Sequence, residues 1–293
     1  MNIQTSENSV TLCNVQNFIP EQIFECGQCF RWNKTETDSY IGVAYDKVIE
    51  IKSSHNNITL FNTTLQEFNE IWQKYFDLDR NYGEILKQSA SLETIEKAAR
   101  HGSGIRILRQ NLFETTVSFI ISASNNIPRI KQIVENLCKN FGKEITYGGK
   151  SYYTFPDYKT LDGITEEDLA PIRSGFRAKY IADAVKRANS GLLDFDYINS
   201  ASTDDARKML LEVKGIGEKV ADCILLFGGG KFDVFPVDTW IDKTMRALYP
   251  DKCTSLKNIR LLGREIFGEN CGMIQQYLFF YARENKIVKG DFS

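Results

Sequence analysis

The chain reads as an α+β protein: an N-terminal antiparallel sheet domain with helices, followed by an all-helical region. Three observations predict this. Apolar and polar residues alternate in short runs only within the first hundred residues. From about Arg106 apolar residues recur at helical spacing, and the segments between are short Gly, Pro, Asn or Asp turns with no long linker or repeat. The 293 residues are enough for two ordinary domains, expected at 1–105 and 106–293, each with its own core.

The alternation is clearest in "SYIGVAYDKVIEIKSSHNNITLFN", Ser39 to Asn62, where three runs separated by polar turns predict an antiparallel meander with one buried face. "LQEFNEIWQKYF" then returns to helical spacing. In the second region "NLFETTVSFIISAS" is apolar enough for a buried helix, and "PRIKQIVENLCKNF" opens on Pro128, a residue suited to a first helical turn. Helices are also predicted for "TEEDLAPI", "FRAKYIADAVKRA", "DDARKMLLEV", "EKVADCILLFG", "TWIDKTMRALY", "SLKNIRLLGREIF" and "CGMIQQYLFFYAREN". Capping-box pairs, Thr165 with Asp168 and Ser202 with Asp205, mark two of the starts.

Composition bounds the chemistry. With 36 basic and 38 acidic residues the net charge of −2 gives no global sign of a nucleic-acid partner, but binding needs only a local basic face. No apolar run approaches the roughly 20 residues of a membrane span, and "MNIQTSENSV" lacks the regions of a signal peptide. A cytoplasmic protein is expected, nucleoid-associated in a prokaryote or nuclear in a eukaryote, with no membrane partner. Seven cysteines, an odd number, read as reduced thiols. Cys26 and Cys29 form a C-x-x-C without a second ligand pair, which reads as accidental spacing ahead of a redox pair. Only two histidines are present, so catalytic groups are expected among Lys, Asp, Glu and Cys.

One motif stands out. In "DDARKMLLEVKGIGEKVADCILLFGG", Ala206, Met209, Leu210 and Val213 fall on one helical face, and Val220, Ile224 and Phe227 on another. Two helices therefore flank "KGIG". Glycines let the backbone take positive φ and let another molecule approach, and the free N–H groups of the second helix start attract anions. The motif is compatible with a helix-hairpin-helix gripping a DNA phosphate and equally with an ordinary helical hairpin. Lys219 lies in the first turn of that second helix, where the macrodipole favours acids. Either it is a solvated lysine paired with Asp222 at i+3, or it is desolvated with a lowered pKa and a free amine able to act as a nucleophile. Asp238 follows nineteen residues later (238 − 219), where "FPVDTW" predicts a helix N-cap that fixes its carboxylate.

"GIGEKVADC" followed by "FPVD" resembles the helix-hairpin-helix, Gly/Pro and aspartate (HhH-GPD) signature of a DNA glycosylase superfamily. "GQCFRW", "GIRILRQ", "SFIISASNNIPRI", "GFRAKYI" and "GMIQQYLFF" resemble, in the same order, motifs of the 8-oxoguanine DNA glycosylase/lyase family, from about Gly27 to Phe280. The resemblance implies a TBP-like sheet domain contributing a Gly27 loop, and two helical lobes with the active site between them. It implies a bifunctional enzyme acting as a monomer on double-stranded DNA containing oxidised guanine, without a redox cofactor or catalytic metal. Lys219 matches the nucleophile that displaces the base and forms the Schiff base from which β-elimination cuts the strand; Asp238 matches the assisting aspartate. Gly27, Cys223, Gln275 and Phe279 match the base pocket, Gly27 by a carbonyl that accepts the hydrogen on N7 of 8-oxoguanine. Asn126, Arg129, Phe176 and Arg177 match contacts to the opposite strand and its orphaned cytosine. Gly215, Gly217 and Val220 match hairpin contacts to DNA, where a structural monovalent cation is a further candidate.

Three positions depart from the eukaryotic members of the family. Phe176 replaces a tyrosine wedge, Ser124 replaces the first asparagine of an "NNN" segment, and Trp240 replaces a histidine that contacts the flipped nucleotide's phosphate. Intercalation is expected to survive, with looser discrimination for opposite cytosine. Among alternatives, endonuclease III relatives carry a four-cysteine iron–sulfur site, whereas only Cys253 and Cys271 follow Asp238 here, so no cluster is expected. Alkylbase glycosylases, another specificity on the same hairpin, lack the lysine. A non-catalytic DNA-binding module would use the hairpin as a phosphate grip and would leave Lys219 and Asp238 far apart.

Overall fold

The computed structural model describes residues 2–89 and 93–286. Its N-terminal part is a six-stranded antiparallel sheet built from β1 (Asn2–Ser6), β2 (Ser9–Cys13), β3 (Trp32–Lys34), β4 (Ser39–Ala44), β5 (Lys47–Ser54) and β6 (Asn57–Phe61), in the order β1-β2-β6-β5-β4-β3. The predicted meander is its β4–β5–β6 core. Helix α1 (Pro20–Glu25) packs on one face together with a helical stretch made of α2 (Leu65–Glu67), a π-helical turn (Phe68–Trp72) and α3 (Gln73–Tyr75). The glue is aromatic. Phe24 stacks on Trp32 at 3.9 Å, and Trp32 lies over its cross-strand partner Gly42, where a Cβ would meet the indole at 2.3 Å. The two buried indole N–H groups find hydroxyls, Trp32 on Tyr75 at 2.9 Å and Trp72 on Thr63 at 3.0 Å, so these large side chains are buried without an orphaned donor.

Helices α4 (Tyr82–Ser89) and α5 (Glu93–His101) precede Arg106 but pack into the core of the helical part, α5 against the last helix. That part comprises α6 (Leu112–Ser122), α7 (Ile127–Phe141), α8 (Ala178–Asn189), α9 (Phe195–Ser200), α10 (Thr203–Leu211), α11 (Glu218–Phe227), α12 (Thr239–Leu248), α13 (Leu256–Phe267) and α14 (Cys271–Glu284). No described helix is long and apolar enough to cross a membrane.

Two expectations for the second region fail. The region is not wholly helical: β7 (Glu144–Tyr147) and β8 (Lys150–Tyr153) form a hairpin whose two turn residues, Gly148 and Gly149, both take positive φ, as a tight I′-type connection requires. "TEEDLAPI" is not an α-helix either. The Thr165–Asp168 box forms, with Asp168 N–H donating to Thr165 Oγ1 at 3.2 Å, but it opens a run of turns that ends in a 3-10 turn, Ala170–Ile172. Pro171 lacks the N–H an α-helix would need and is tolerated there. Ser202, by contrast, does cap a helix, its Oγ accepting from Asp205 N–H at the start of α10.

Candidate active site

Helices α10 and α11 pack through the predicted faces: Ala206, Leu210, Val213, Val220, Ile224 and Phe227 are buried, and Met209 is half-buried at the edge. The two hairpin glycines do different jobs. Gly215 takes φ +86, and a Cβ there would strike the Tyr180 ring at 2.5 Å, so this position is closed by the fold itself. Gly217 caps α11 at φ −97 and would meet nothing within 4 Å; it is the open approach to the N–H groups of the first turn. The side chain of Val220 is buried, leaving its backbone N–H as the group that can face a ligand.

Lys219 is half-buried, with its ammonium 5.6 Å from the centre of the Phe119 ring. It is not paired with Asp222. That carboxylate is fully buried and accepts from Arg207 Nε at 2.7 Å, which ties α11 to α10 and turns Asp222 away from the lysine. Lys219 instead stands one turn before Cys223 on α11, and its charge reaches both that thiol and the Asp238 carboxyl. Burial pushes the Cys223 thiol up to about 11, with Lys219 offsetting part of the rise, so the group is a neutral thiol at physiological pH and a wall of the site. Asp238 is the N-cap of α12, its Oδ1 accepting from Ile241 N–H at 2.9 Å. Burial raises this carboxyl above the usual aspartate value, opposed by that N–H and by Lys219. The cap occupies one oxygen; Oδ2 is the atom able to face a cationic centre.

A second cluster lies along α14. Gln275 is buried and its Oε1 has no protein partner among the described residues, a carbonyl able to accept from a ligand N–H. Phe279, one turn on, is partly exposed, and its ring lies 3.6 Å from the position a Cβ on Gly27 would take. Gly27 has φ +85, so the turn after α1 needs glycine at this point. Cys26 and Cys29 belong to different cores and each donates to a backbone carbonyl, consistent with accidental spacing.

The residues matched to the opposite strand surround the start of α7. Phe176 follows Gly175 in a 3-10 turn and is 55% exposed, a ring presented to solvent where burial would normally claim it. Arg129 is exposed. Arg177 is placed differently from a guanidinium held out to a base: it is buried, stacks 4.3 Å from the Phe176 ring, and spends its donors on the carbonyls of Ala123, Ser124 and Ser174. Burial and the nearby charge of Arg129 lower its pKa. Its immediate effect is to brace the 123–124 turn, in which Ser124 takes φ +50. Asn126 is the N-cap of α7, accepting from Arg129 N–H at 3.0 Å. Trp240 is half-buried in the first turn of α12, with Lys243 over its ring at 5.5 Å. A separate open cavity of 860 Å³ lies between Tyr45, Glu114, Phe155 and Phe195 and includes none of these residues. Phe119, Gln276 and Arg283 were not singled out by the sequence; the only signal for them was helical spacing around residues that were.

Comparison with known proteins gives the family. Residues 10–116 match the N-terminal domain of 8-oxoguanine DNA glycosylase, and residues 117–267 match the HhH-GPD superfamily of base excision DNA repair proteins. The chain is 46% identical to the 8-oxoguanine glycosylase/lyase of Clostridium acetobutylicum, solved with double-stranded DNA containing cytosine opposite 8-oxoguanine; the match covers 98% of this chain and 99% of that one at a TM-score of 0.95. It is 31% identical to a probable N-glycosylase/DNA lyase of Methanothermobacter thermautotrophicus, over 77% of each chain. It is 32% identical to the N-glycosylase/DNA lyase of Saccharomyces cerevisiae, over 78% of this chain and 67% of the yeast protein. Because these matches run through both the sheet and the helices, the chain belongs to the 8-oxoguanine DNA glycosylase/lyase family within the HhH-GPD superfamily.

Proposed function

We propose that this DNA glycosylase with lyase activity excises 8-oxoguanine from duplex DNA, with a relaxed preference for opposite cytosine, through a covalent intermediate on Lys219. The observation that carries the reading is that Lys219, whose alternative partner Asp222 is taken by Arg207, has Cys223 one turn along α11 and the capping carboxyl of Asp238 within reach of its charge. Phosphates dock on the N–H groups exposed beside Gly217, and Phe176 enters the stack as the lesion leaves it. Asn126 and Arg129 contact the strand left behind; Arg177 either keeps their turn in shape or exchanges a carbonyl for the orphaned base.

In the pocket the flipped base lies between Phe279 and Cys223, Gln275 bonds its exposed edge, and the Gly27 carbonyl accepts the N7 hydrogen that guanine lacks. Lys219 Nζ, once deprotonated, attacks C1′; the glycosidic bond breaks with its electron pair going to the base, which takes up the proton that the amine gives up on bonding to C1′. Positive charge developing on the sugar faces the fixed carboxylate of Asp238. Ring opening gives the Schiff base, loss of a proton from C2′ expels the 3′ phosphate, and water then frees the lysine. The enzyme works as a monomer in this reading.

Borohydride reduction of the chain mixed with duplex DNA containing 8-oxoguanine opposite cytosine tests this directly. A covalent adduct is expected with the wild type and not with Lys219→Gln. Base release without any wild-type adduct would rule out the Schiff base; an adduct that survives in Lys219→Gln would assign the nucleophile elsewhere.

A further inference from the structure

The turn that carries Gly27 is held by residues far away in sequence. On one side of the turn, the fully buried amide of Gln28 donates to Ile23 O at 2.9 Å and Arg106 O at 2.8 Å, and accepts from Leu108 N–H at 2.9 Å. On the other side, the two carbonyls preceding Gly27 are held by α14. Gln276 Nε2 donates to Cys26 O at 2.9 Å, and Arg283 Nη2 donates to Glu25 O at 2.8 Å. Gln276, Phe279 and Arg283 stand at i, i+3 and i+7, a single stripe of the helix. Arg283 is itself fixed: it pairs with Glu284 at 3.0 Å, lies 5.5 Å from the ring centres of both Phe279 and Phe280, and brings a buried Nη1 to 3.5 Å from the Cβ position of Gly27.

We propose that Gln276 and Arg283 are positioning residues for lesion recognition: by gripping the carbonyls of Cys26 and Glu25 they hold the Gly27 carbonyl in register with the ring of Phe279. This rests on the reading of Gly27 as the acceptor for N7–H. The stripe that carries the stacking ring also carries both clamps, so the acceptor and the ring move as one body. A hydrogen bond weakens steeply as its angle falls below about 120°. A turn freed from its clamps can therefore lose the one contact that separates 8-oxoguanine from guanine while the reacting groups on α11 and α12 stay where they are.

The test separates two activities of the full chain: release of 8-oxoguanine from duplex DNA, and cleavage at a preformed abasic site, which requires Lys219 but no base reading. In Arg283→Met, kcat/KM for base release is expected to fall by about tenfold, the size of one lost hydrogen bond. Abasic-site cleavage should stay within about twofold of wild type. Arg283→Lys, which keeps a donor for Glu25 O, should recover most of the loss, and adding Gln276→Met to Arg283→Met should deepen it. Equal loss of both activities, or unchanged base release, overturns the proposal. Wild-type chain that cleaves abasic sites but releases no 8-oxoguanine would instead overturn the substrate reading. The brace is then judged by amide exchange at Gly27 and Gln28: faster in Arg283→Met upholds it, unchanged overturns it.

Discussion

Lys219, Cys223 and Asp238 come from a single stretch, 219–238, on two successive helices, whereas Gly27 and Phe279 come from opposite ends of the chain. The reacting half of the site is thus framed locally, by a hairpin, a helix cap and the Arg207–Asp222 pair beneath it. The reading half exists only where a turn beside the sheet meets α14, and side-chain bonds spanning some 250 residues hold it. Groups framed locally tolerate small shifts between the two parts of the molecule; groups framed across the junction do not. Damage to the first half should therefore abolish chemistry on every substrate, while damage to the second should change which base is removed.

The largest expected effect is on the reacting half. Asp238→Asn preserves the α12 cap, since asparagine caps as well as aspartate, but removes the charge facing the sugar. Base release in single turnovers should fall by about 10²- to 10³-fold, the usual scale for one preorganised electrostatic group. The pH dependence has a definite sign. Burial raises the Asp238 carboxyl, so it protonates, and its stabilisation of positive charge is lost, at a higher pH than for an exposed aspartate. The acid limb of the wild-type profile should lie at a higher pH than an exposed aspartate would give and should be missing in Asp238→Asn; an identical limb in both proteins would remove Asp238 from the mechanism.

Gly27→Ala probes the reading half. Space is available, because the added Cβ would find its nearest neighbours at 3.5 and 3.6 Å. The obstacle is φ +85, which costs a side-chain-bearing residue about 1–2 kcal/mol and favours rotation of the turn. Base release should drop by about tenfold or more while abasic-site cleavage is retained. Loss of both would mean that the two halves are not separable. Phe176→Ala should come next, with base release slowed by up to about tenfold because the lesion leaves the stack without a wedge to replace it. Exposed as it is, Phe176 should leave the denaturant midpoint almost unmoved.

The sequence made the local half of this site legible and the distant half only in part. The helix faces around "KGIG", the Asp238 cap and the Gln275–Phe279 spacing are all short-range patterns, and each corresponds to the fold. The β7–β8 hairpin escaped notice because its strands are only four residues each, lying between helical runs, although "GG" between Tyr147 and Lys150 was a usable turn signal. The fate of Asp222 was not legible at all: helical spacing offers Lys219 at i−3, and only tertiary packing brings Arg207 to it first. For the same reason Arg177 could be read as a guanidinium available to a base when the fold binds it to the Ala123 and Ser124 carbonyls. Gln276 and Arg283 carry no motif, since their partners are backbone carbonyls, which every residue has.

Asp222 gives the smallest expected effect on the reaction and the sharpest test of the local frame. It is buried with Arg207, whose Nη1 also bonds Asp204, and Asp204 in turn pairs with Arg264 of α13 at 3.0 Å. The pair is imperfectly satisfied, with Asp222 Oδ2 and Arg207 Nη2 both buried without partners among the described residues. Asp222→Asn removes the buried counter-charge and leaves the arginine only the exposed Asp204, so it should cost up to about 3 kcal/mol in denaturant unfolding. If Asp222 serves only to join α11 to α10, the protein that remains folded at low temperature should be trapped by borohydride at close to the wild-type rate, with the same pH dependence. A shifted pH dependence of trapping would mean that the carboxylate acts on Lys219 after all, and that the reacting half depends on a charge that the fold places on its far side.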